Sequence, residues 1–154
     1  ERLDTVLSQA WESRLGALPY ANSYEALTMA SIIEKESASN SERALIAGVF
    51  VARLDLGMRL QSDPTTIYGM GDRYAGNIRR ADLLEETPYN TYRIDGMPPT
   101  PIALSGKESI VAALNPSASD YLYFVARVDG SHQFSRTLEE HNAAVREHQL
   151  GSSN

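Results

Sequence analysis

Residues 58–100 abandon the apolar periodicity of the segments on either side. Gly, Pro, Asp, Thr and Tyr crowd this stretch, and its apolar runs are short. An irregular segment of that length inside a compact domain is uncommon, and where it occurs it usually carries function. Four tyrosines fall within it, Tyr68, Tyr74, Tyr89 and Tyr92, which is more aromatic surface than a solvated tether bears. The segment is therefore expected to pack as a long functional loop region. It has room for short strands at 59–61 and 89–94 and a turn or short helix at 65–68.

The flanks are helical. Leu3, Val6, Leu7, Ala10, Trp11 and Leu15 form an apolar stripe at helical spacing, broken by Gly16 and Pro19. Asn22 with Glu25 has the form of a capped start for a second helix over 24–37. Ser39 or Asn40 can cap a third through residue 56, with Leu45, Ile46, Val49, Phe50 and Leu54 inward and Gly57 as its stop. Beyond the loop, Ser105 with Glu108 predicts a capping box for a helix ending before Asn115-Pro116. Asp129-Gly130 predicts a hairpin joining 121–128 to 131–134. Thr137 with Glu140 then caps a last helix to about residue 148. The sum is one mixed α+β domain over residues 1–150, with a flexible tail at 151–154. A chain of 154 residues is long enough to bury a real core.

Composition removes several function classes. The net charge of −6, from 20 acidic and 14 basic residues without a Lys/Arg block, argues against nucleic acid or an anionic membrane surface as a partner. With no cysteine, disulfides, thiolate metal sites and a cysteine nucleophile are excluded. His132, His141 and His148 lack ligand spacing and no HExxH motif exists, so no metal site is expected. Gly69-Met70-Gly71 lacks the strand-to-helix context of a phosphate loop, and no cofactor is implied. No apolar run approaches the ~18–20 residues of a membrane span, and no signal peptide opens the chain. The chain starts at Glu rather than Met, as a piece of a longer protein would, and any membrane anchor would lie upstream.

The densest chemistry lies in Ser31-Ile32-Ile33-Glu34-Lys35-Glu36-Ser37. At roughly 100° per residue, Met29, Ile32 and Ile33 share one side of the second helix and Glu36 falls in the middle of that side. Glu34 points the opposite way, with room to meet water beside Ala30 and Ser31. A carboxyl group among apolar neighbours loses hydration of its charged form, and a helix C-terminus pushes its pKa the same way, upward. A glutamic acid protonated near neutral pH can protonate a leaving group such as a glycosidic oxygen. The competing structural role is a boundary salt bridge.

The sequence resembles the MltG (YceG-like) endolytic murein transglycosylases. The matching text is 29–36 (Met-Ala-Ser-Ile-Ile-Glu-Lys-Glu), 57–65 (Gly-Met-Arg-Leu-Gln-Ser-Asp-Pro-Thr), Ile67-Tyr68-Gly69, Thr87-Pro88-Tyr89-Asn90-Thr91-Tyr92 and Gly96-Met97-Pro98-Pro99. Residues 121–125 and His141-Asn142 complete it. The resemblance implies that Glu36 is the catalytic acid/base of a cofactor-free lyase. Such an enzyme cleaves the MurNAc-GlcNAc bond within nascent peptidoglycan strands and leaves 1,6-anhydro-MurNAc ends. It further implies a single-pass protein at the periplasmic face of the bacterial inner membrane, working beside cell-wall synthases.

Further candidates cluster in the loop region. Asp63 could supply the second carboxylate that a hydrolysing muramidase needs, or form an Asx-turn before Pro64. Gln61 could share the cleft. Tyr rings stack on sugar faces and Asn can hold an N-acetyl carbonyl, so Tyr89, Asn90 and Tyr92 are substrate-binding candidates, with Asn90 and Tyr92 favoured for the cleft. Tyr68 fits core or groove, and Ser37 could hydrogen-bond Glu36. A glycan-binding module that never cuts is the reading from another class.

Overall fold

A computed structural model of the chain describes residues 2–37 and 39–150, so the tail expected at 151–154 lies outside the described residues. The described elements are α1 (Leu3–Glu12), α2 (Ser23–Glu36), α3 (Asn40–Asp55), α4 (Asp63–Met70), a 3-10 turn (Gly71–Arg73), α5 (Arg80–Leu84) and α6 (Lys107–Leu114). The antiparallel pair β1 (Tyr123–Ala126) and β2 (His132–Ser135) follows, then α7 (Leu138–Val145), which widens into a π turn (Arg146–Leu150). The class is α+β, as expected.

Helix α2 is the axis of the domain. Asn22 accepts the Glu25 amide at 3.0 Å, the predicted cap, while Glu25 accepts the Ala21 amide at 2.8 Å. Ala26, Met29, Ala30, Ile32 and Ile33 are all essentially inaccessible, because α1, α3 and α6 pack around the same helix. Thr28 and Ser31 share that burial only because their hydroxyls turn back to the Tyr24 and Thr28 carbonyls, at 3.1 and 2.6 Å. Ser31 also receives the Ile102 amide at 2.9 Å, which straps the segment before α6 across α2.

This surrounded helix overturns two expectations. The side of α2 given to water is covered by α6, and Glu34 there accepts the Gly106 amide at 2.9 Å and the Ser109 hydroxyl at 2.8 Å. Those bonds hold its carboxyl below the usual range. The capping box of Ser105 with Glu108 accordingly does not form. Gly106 is the N-cap, and Glu34 from another helix satisfies the start of α6.

The strands expected at 59–61 and 89–94 are also absent. The two segments share one backbone bond, Gln61 to the Thr91 carbonyl at 3.3 Å. Gln61 sits at φ +54°, off the extended conformation, and 90–94 turns on itself through Arg93 and Ile94 amides to the Asn90 carbonyl. The turn or short helix expected at 65–68 is a helix, α4, longer at both ends than expected, and Pro64 sits in its first turn because its missing N–H falls where helices have no partner for one. Helix α5 was not foreseen; Asp82 nucleates it by accepting the Arg79 amide at 2.8 Å.

The hairpin pairs Tyr123 with Ser135 and Ala126 with His132. It docks on α3 through Phe124, edge-on to Phe50 at 5.7 Å, and through His132, whose amide and Nδ1 both bond the Glu42 carboxylate. Thr137 caps α7 through the Glu140 amide, as predicted. One close approach fixes how the 115–119 segment lies on α3. A Cβ at Gly48 would stand 2.5 Å from the Ser117 carbonyl oxygen. Gly48→Ala is expected to cost about 2 kcal/mol in urea unfolding, since that oxygen belongs to backbone tied by the Ser117 amide to Ala44.

Candidate active site

Glu36 is the last residue of α2 and stands at the wall of a cavity of about 480 Å³. The side chain as a whole is half-buried, but protein crowds its carboxyl group closely enough that the charged form loses its hydration. That loss, reinforced by the neighbouring charge of Asp63 and opposed by a Ser62 hydrogen bond, raises its pKa from 4.5 to about 7. The group is thus poised to give and take a proton near neutral pH.

Its orientation is set by a buried knot of hydroxyls. Ser62 Oγ donates to Glu36 Oε2 at 2.9 Å. Because this hydroxyl is so used, Ser62 does not cap α4. Its own position is fixed by its amide, which donates to Thr91 Oγ1 at 2.8 Å, and its carbonyl, which accepts Thr65 Oγ1 at 2.7 Å. Thr65 and Thr91 hydroxyls then meet at 2.8 Å, and all three residues are inaccessible to solvent. The Gln-Ser-Asp-Pro-Thr and Tyr-Asn-Thr-Tyr segments are therefore one physical unit. Gln61 at positive φ, a conformation that costs of order 1 kcal/mol in a residue with a side chain, turns the backbone that delivers Ser62 to Glu36. Removing that hydroxyl, in Ser62→Ala, withdraws a bond to the charged form. The alkaline limb of the pH–rate profile is expected to move to higher pH, with several-fold slower turnover from a less ordered carboxyl.

Asp63 and Tyr92 form the next contact: Tyr92 Oη donates to Asp63 Oδ1 at 2.7 Å. Burial, followed by this bond and the nearby acids, raises the Tyr92 pKa far above the ordinary phenol range, so it remains a neutral donor. The cavity is lined further by α3, the hairpin and α7. Arg53 is 6% exposed and places its guanidinium over the Tyr123 ring at 4.9 Å. His141 stacks on the same ring at 5.1 Å, with Nδ1 buried and unpartnered among the described residues. Burial and then the Arg53 charge lower its pKa, leaving the imidazole neutral at pH 7.

Glu36, Gln61, Asp63 and Tyr92 are brought together on this cavity. The other sequence candidates sit elsewhere. Ser37 bonds the Ser39 backbone at 2.8 Å and makes no bond to Glu36. Tyr68 is exposed on α4 and packs on Tyr89 at 4.7 Å between ring centres, while Tyr89 spends its hydroxyl on Thr100. Asn90 is 1% exposed. Its amide donates to the Leu83 and Glu85 carbonyls at 3.0 and 2.7 Å and its oxygen accepts the Thr66 hydroxyl at 3.0 Å. Asn90 is thus a brace behind the cavity, not part of its surface. The Asx-turn considered for Asp63 is not formed either; that residue opens α4 and faces Tyr92.

Ser62, Arg53, Tyr123 and His141 were not singled out as site residues. Arg53 carried a readable signal, since a charge at helical spacing from Val49 and Phe50 stands on the buried stripe of α3. Ser62, Tyr123 and His141 lie within the segments that carry the resemblance, but nothing in their local spacing assigns them a role, because it arises from contacts across the chain.

Comparison with known proteins gives the family. The YceG-like family profile matches residues 1–147. An endolytic murein transglycosylase of Bacillus subtilis is 44% identical over 131 residues, which is 85% of this chain and 36% of the relative. One from Streptococcus pneumoniae is 39% identical over 130 residues, 80% of this chain and 23% of the relative. This chain therefore spans about a third or less of the length of these relatives. A crystal structure of a yceG-like protein from Listeria monocytogenes superposes with a TM-score of 0.75 at 49% identity, covering 80% of this chain and 40% of that one. With the profile running through nearly every element described above, from α1 to the end of α7, the chain belongs to the YceG-like family.

Proposed function

We propose that this domain is the catalytic unit of an endolytic murein transglycosylase, cutting peptidoglycan strands with Glu36 as general acid and then base. The observation that carries the reading is a carboxyl group with a pKa of about 7, held by Ser62 at the wall of a cavity. The names of the relatives supply the substrate class.

In this mechanism protonated Glu36 gives its hydrogen to the glycosidic oxygen between MurNAc and GlcNAc as the bond to C1 breaks. The carboxylate so formed takes the proton of the muramyl C6 hydroxyl while that oxygen closes on C1. The product is a 1,6-anhydro end, no water is consumed, and Glu36 is again protonated. A pKa near ambient pH serves both halves of such a cycle, because neither form of the acid is strongly favoured. Tyr92 and Asp63 lie beside the reacting centre, where the Asp63 charge opposes ionisation of Glu36 and so favours its acid form.

Hydrolysis is the second reading, favoured by the presence of Asp63 on the same cavity, where it could activate water. In the whole protein, we place residues 1–150 at the periplasmic face of the inner membrane beside cell-wall synthases, held by an anchor outside this chain. Among the described residues no helix is long and apolar enough to cross a membrane. Incubation with purified sacculi and mass spectrometry of the released muropeptides tests the proposal. Ends lighter by one water than reducing ends are expected. Reducing ends would indicate the muramidase, and an unchanged sacculus a module that only binds.

A further inference from the structure

We infer that Arg53 is a substrate-binding residue that anchors a carboxylate of the glycan strand in the cavity that Glu36 also lines. This rests on the glycan-cleaving reading above and adds to it the chemical group by which the strand is held.

Arg59, Arg73, Arg93 and Arg136 all lie nearer the surface, and each has a carboxylate at 2.6 to 3.1 Å. Arg53 is 6% exposed, yet among the described residues no carboxylate comes within ion-pair distance of it. Burial of a charge in that condition is unfavourable unless a partner arrives. The two acids on the cavity are not that partner, because Ser62 holds Glu36 and Tyr92 holds Asp63.

The guanidinium is also held ready. Nε donates to the Leu122 carbonyl and Nη1 to the Arg59 carbonyl, both at 2.7 Å, and the Tyr123 ring lies beneath its plane. Nη2 has no partner among the described residues, and it is not sealed from solvent as the orphaned nitrogens of Arg43 are. A cation immobilised by neutral acceptors, with one edge left open on a cavity wall, matches a planar oxyanion. Neutral sugar hydroxyls would not require a charge there. Peptidoglycan offers carboxylates from two sources, the lactyl group of peptide-free muramic acid and the stem peptide.

The test uses strands of equal length in three forms: peptide-free with lactyl carboxylates, the same strands with those groups converted to methylamides, and strands with intact stem peptides. Steady-state cleavage and calorimetric binding are measured for each. For the unaltered protein, KM and Kd are expected to be about tenfold lower for a carboxylate-bearing form than for the methylamide. Which of the two carboxylate forms shows the gain identifies the source. Arg53→Gln should erase the difference by raising KM and leaving kcat little changed, and Arg53→Lys should restore part of it. Equal KM and Kd for all three forms with the unaltered protein would overturn the inference without any variant. So would an Arg53→Gln variant that loses turnover in equal proportion on charged and methylamide strands, the mark of a residue that only ties Leu122 to Arg59. If nothing is cleaved but binding still depends on the carboxylate, the anchor stands and the lyase reading falls.

Discussion

Glu36→Gln is expected to lower cleavage of glycan strands by on the order of a thousandfold and, above neutral pH, to make the protein more stable than the parent. The first effect follows because glutamine keeps the shape and the Ser62 contact but has no proton to give. The second follows from linkage. The folded-state pKa of Glu36, about 7, lies above its ordinary value of 4.5, so the native state holds this proton more tightly than the unfolded chain. The associated stability is full below the unfolded value and is lost as pH rises through the folded one. The parent should therefore lose about 3 kcal/mol from this group across that window, whereas the variant, neutral throughout, should not. Urea unfolding of both proteins below the unfolded value of 4.5 and above the folded value of about 7 measures the difference. A parallel fall in the two stabilities would mean that the carboxyl is hydrated and unsuited to acid catalysis. In the active protein the same pKa should appear as the alkaline limb of kcat/KM, with activity declining above about 7.

Asn90→Ala is expected to remove about 3 kcal/mol of stability or more, among the largest losses available from one polar side chain here. It would leave the carbonyls of Leu83 and Glu85 and the hydroxyl of Thr66 without partners inside the protein. It would also release the Tyr92 amide, which donates to Asn90 Oδ1 at 3.1 Å. Asn90→Asp should fare no better, since it loses the donors and adds a buried charge. Thermal unfolding reads the stability, and KM on the fraction that remains folded reads the binding role. A large rise in KM at unchanged melting temperature would return Asn90 to the groove as a grip on the N-acetyl group.

Much of the helical frame was legible because its signals are local. Asn22 and Thr137 cap as their spacing predicts, and Asp129-Gly130 makes the turn of the hairpin, with Gly130 at φ +88°. A cap or a turn depends on a few neighbouring residues, so the sequence contains the whole of its cause. The capping box at Ser105 failed for the opposite reason. A distant carboxylate, Glu34, took the same amides, and nothing near residue 105 reports its approach. The strands expected at 59–61 and 89–94 failed because hydroxyl bonds among Ser62, Thr65 and Thr91 outweighed a ladder of backbone pairs.

The site divides in the same way. Glu36 could be chosen from the sequence because helical periodicity alone places it beside Met29, Ile32 and Ile33, and those neighbours alone imply a raised pKa. Gln61, Asp63 and Tyr92 were legible as residue types suited to a cleft, and the fold brings all of them to one cavity. Tyr89 and Asn90, alike in type and adjacent in the chain, were turned away from it, because their polar atoms found partners at Thr100 and at the end of α5. The flanking helices, the hairpin and the choice of Glu36 as the candidate acid follow from spacing within a few residues, whereas α5 does not. Only folding sets which hydroxyl holds Glu36, which polar side chains are braces and which face the cavity, and that Arg53 reaches the cavity with no carboxylate at ion-pair distance among the described residues. Those outcomes depend on chain segments that meet only after folding, where burial sets the strength of every charge and hydrogen bond.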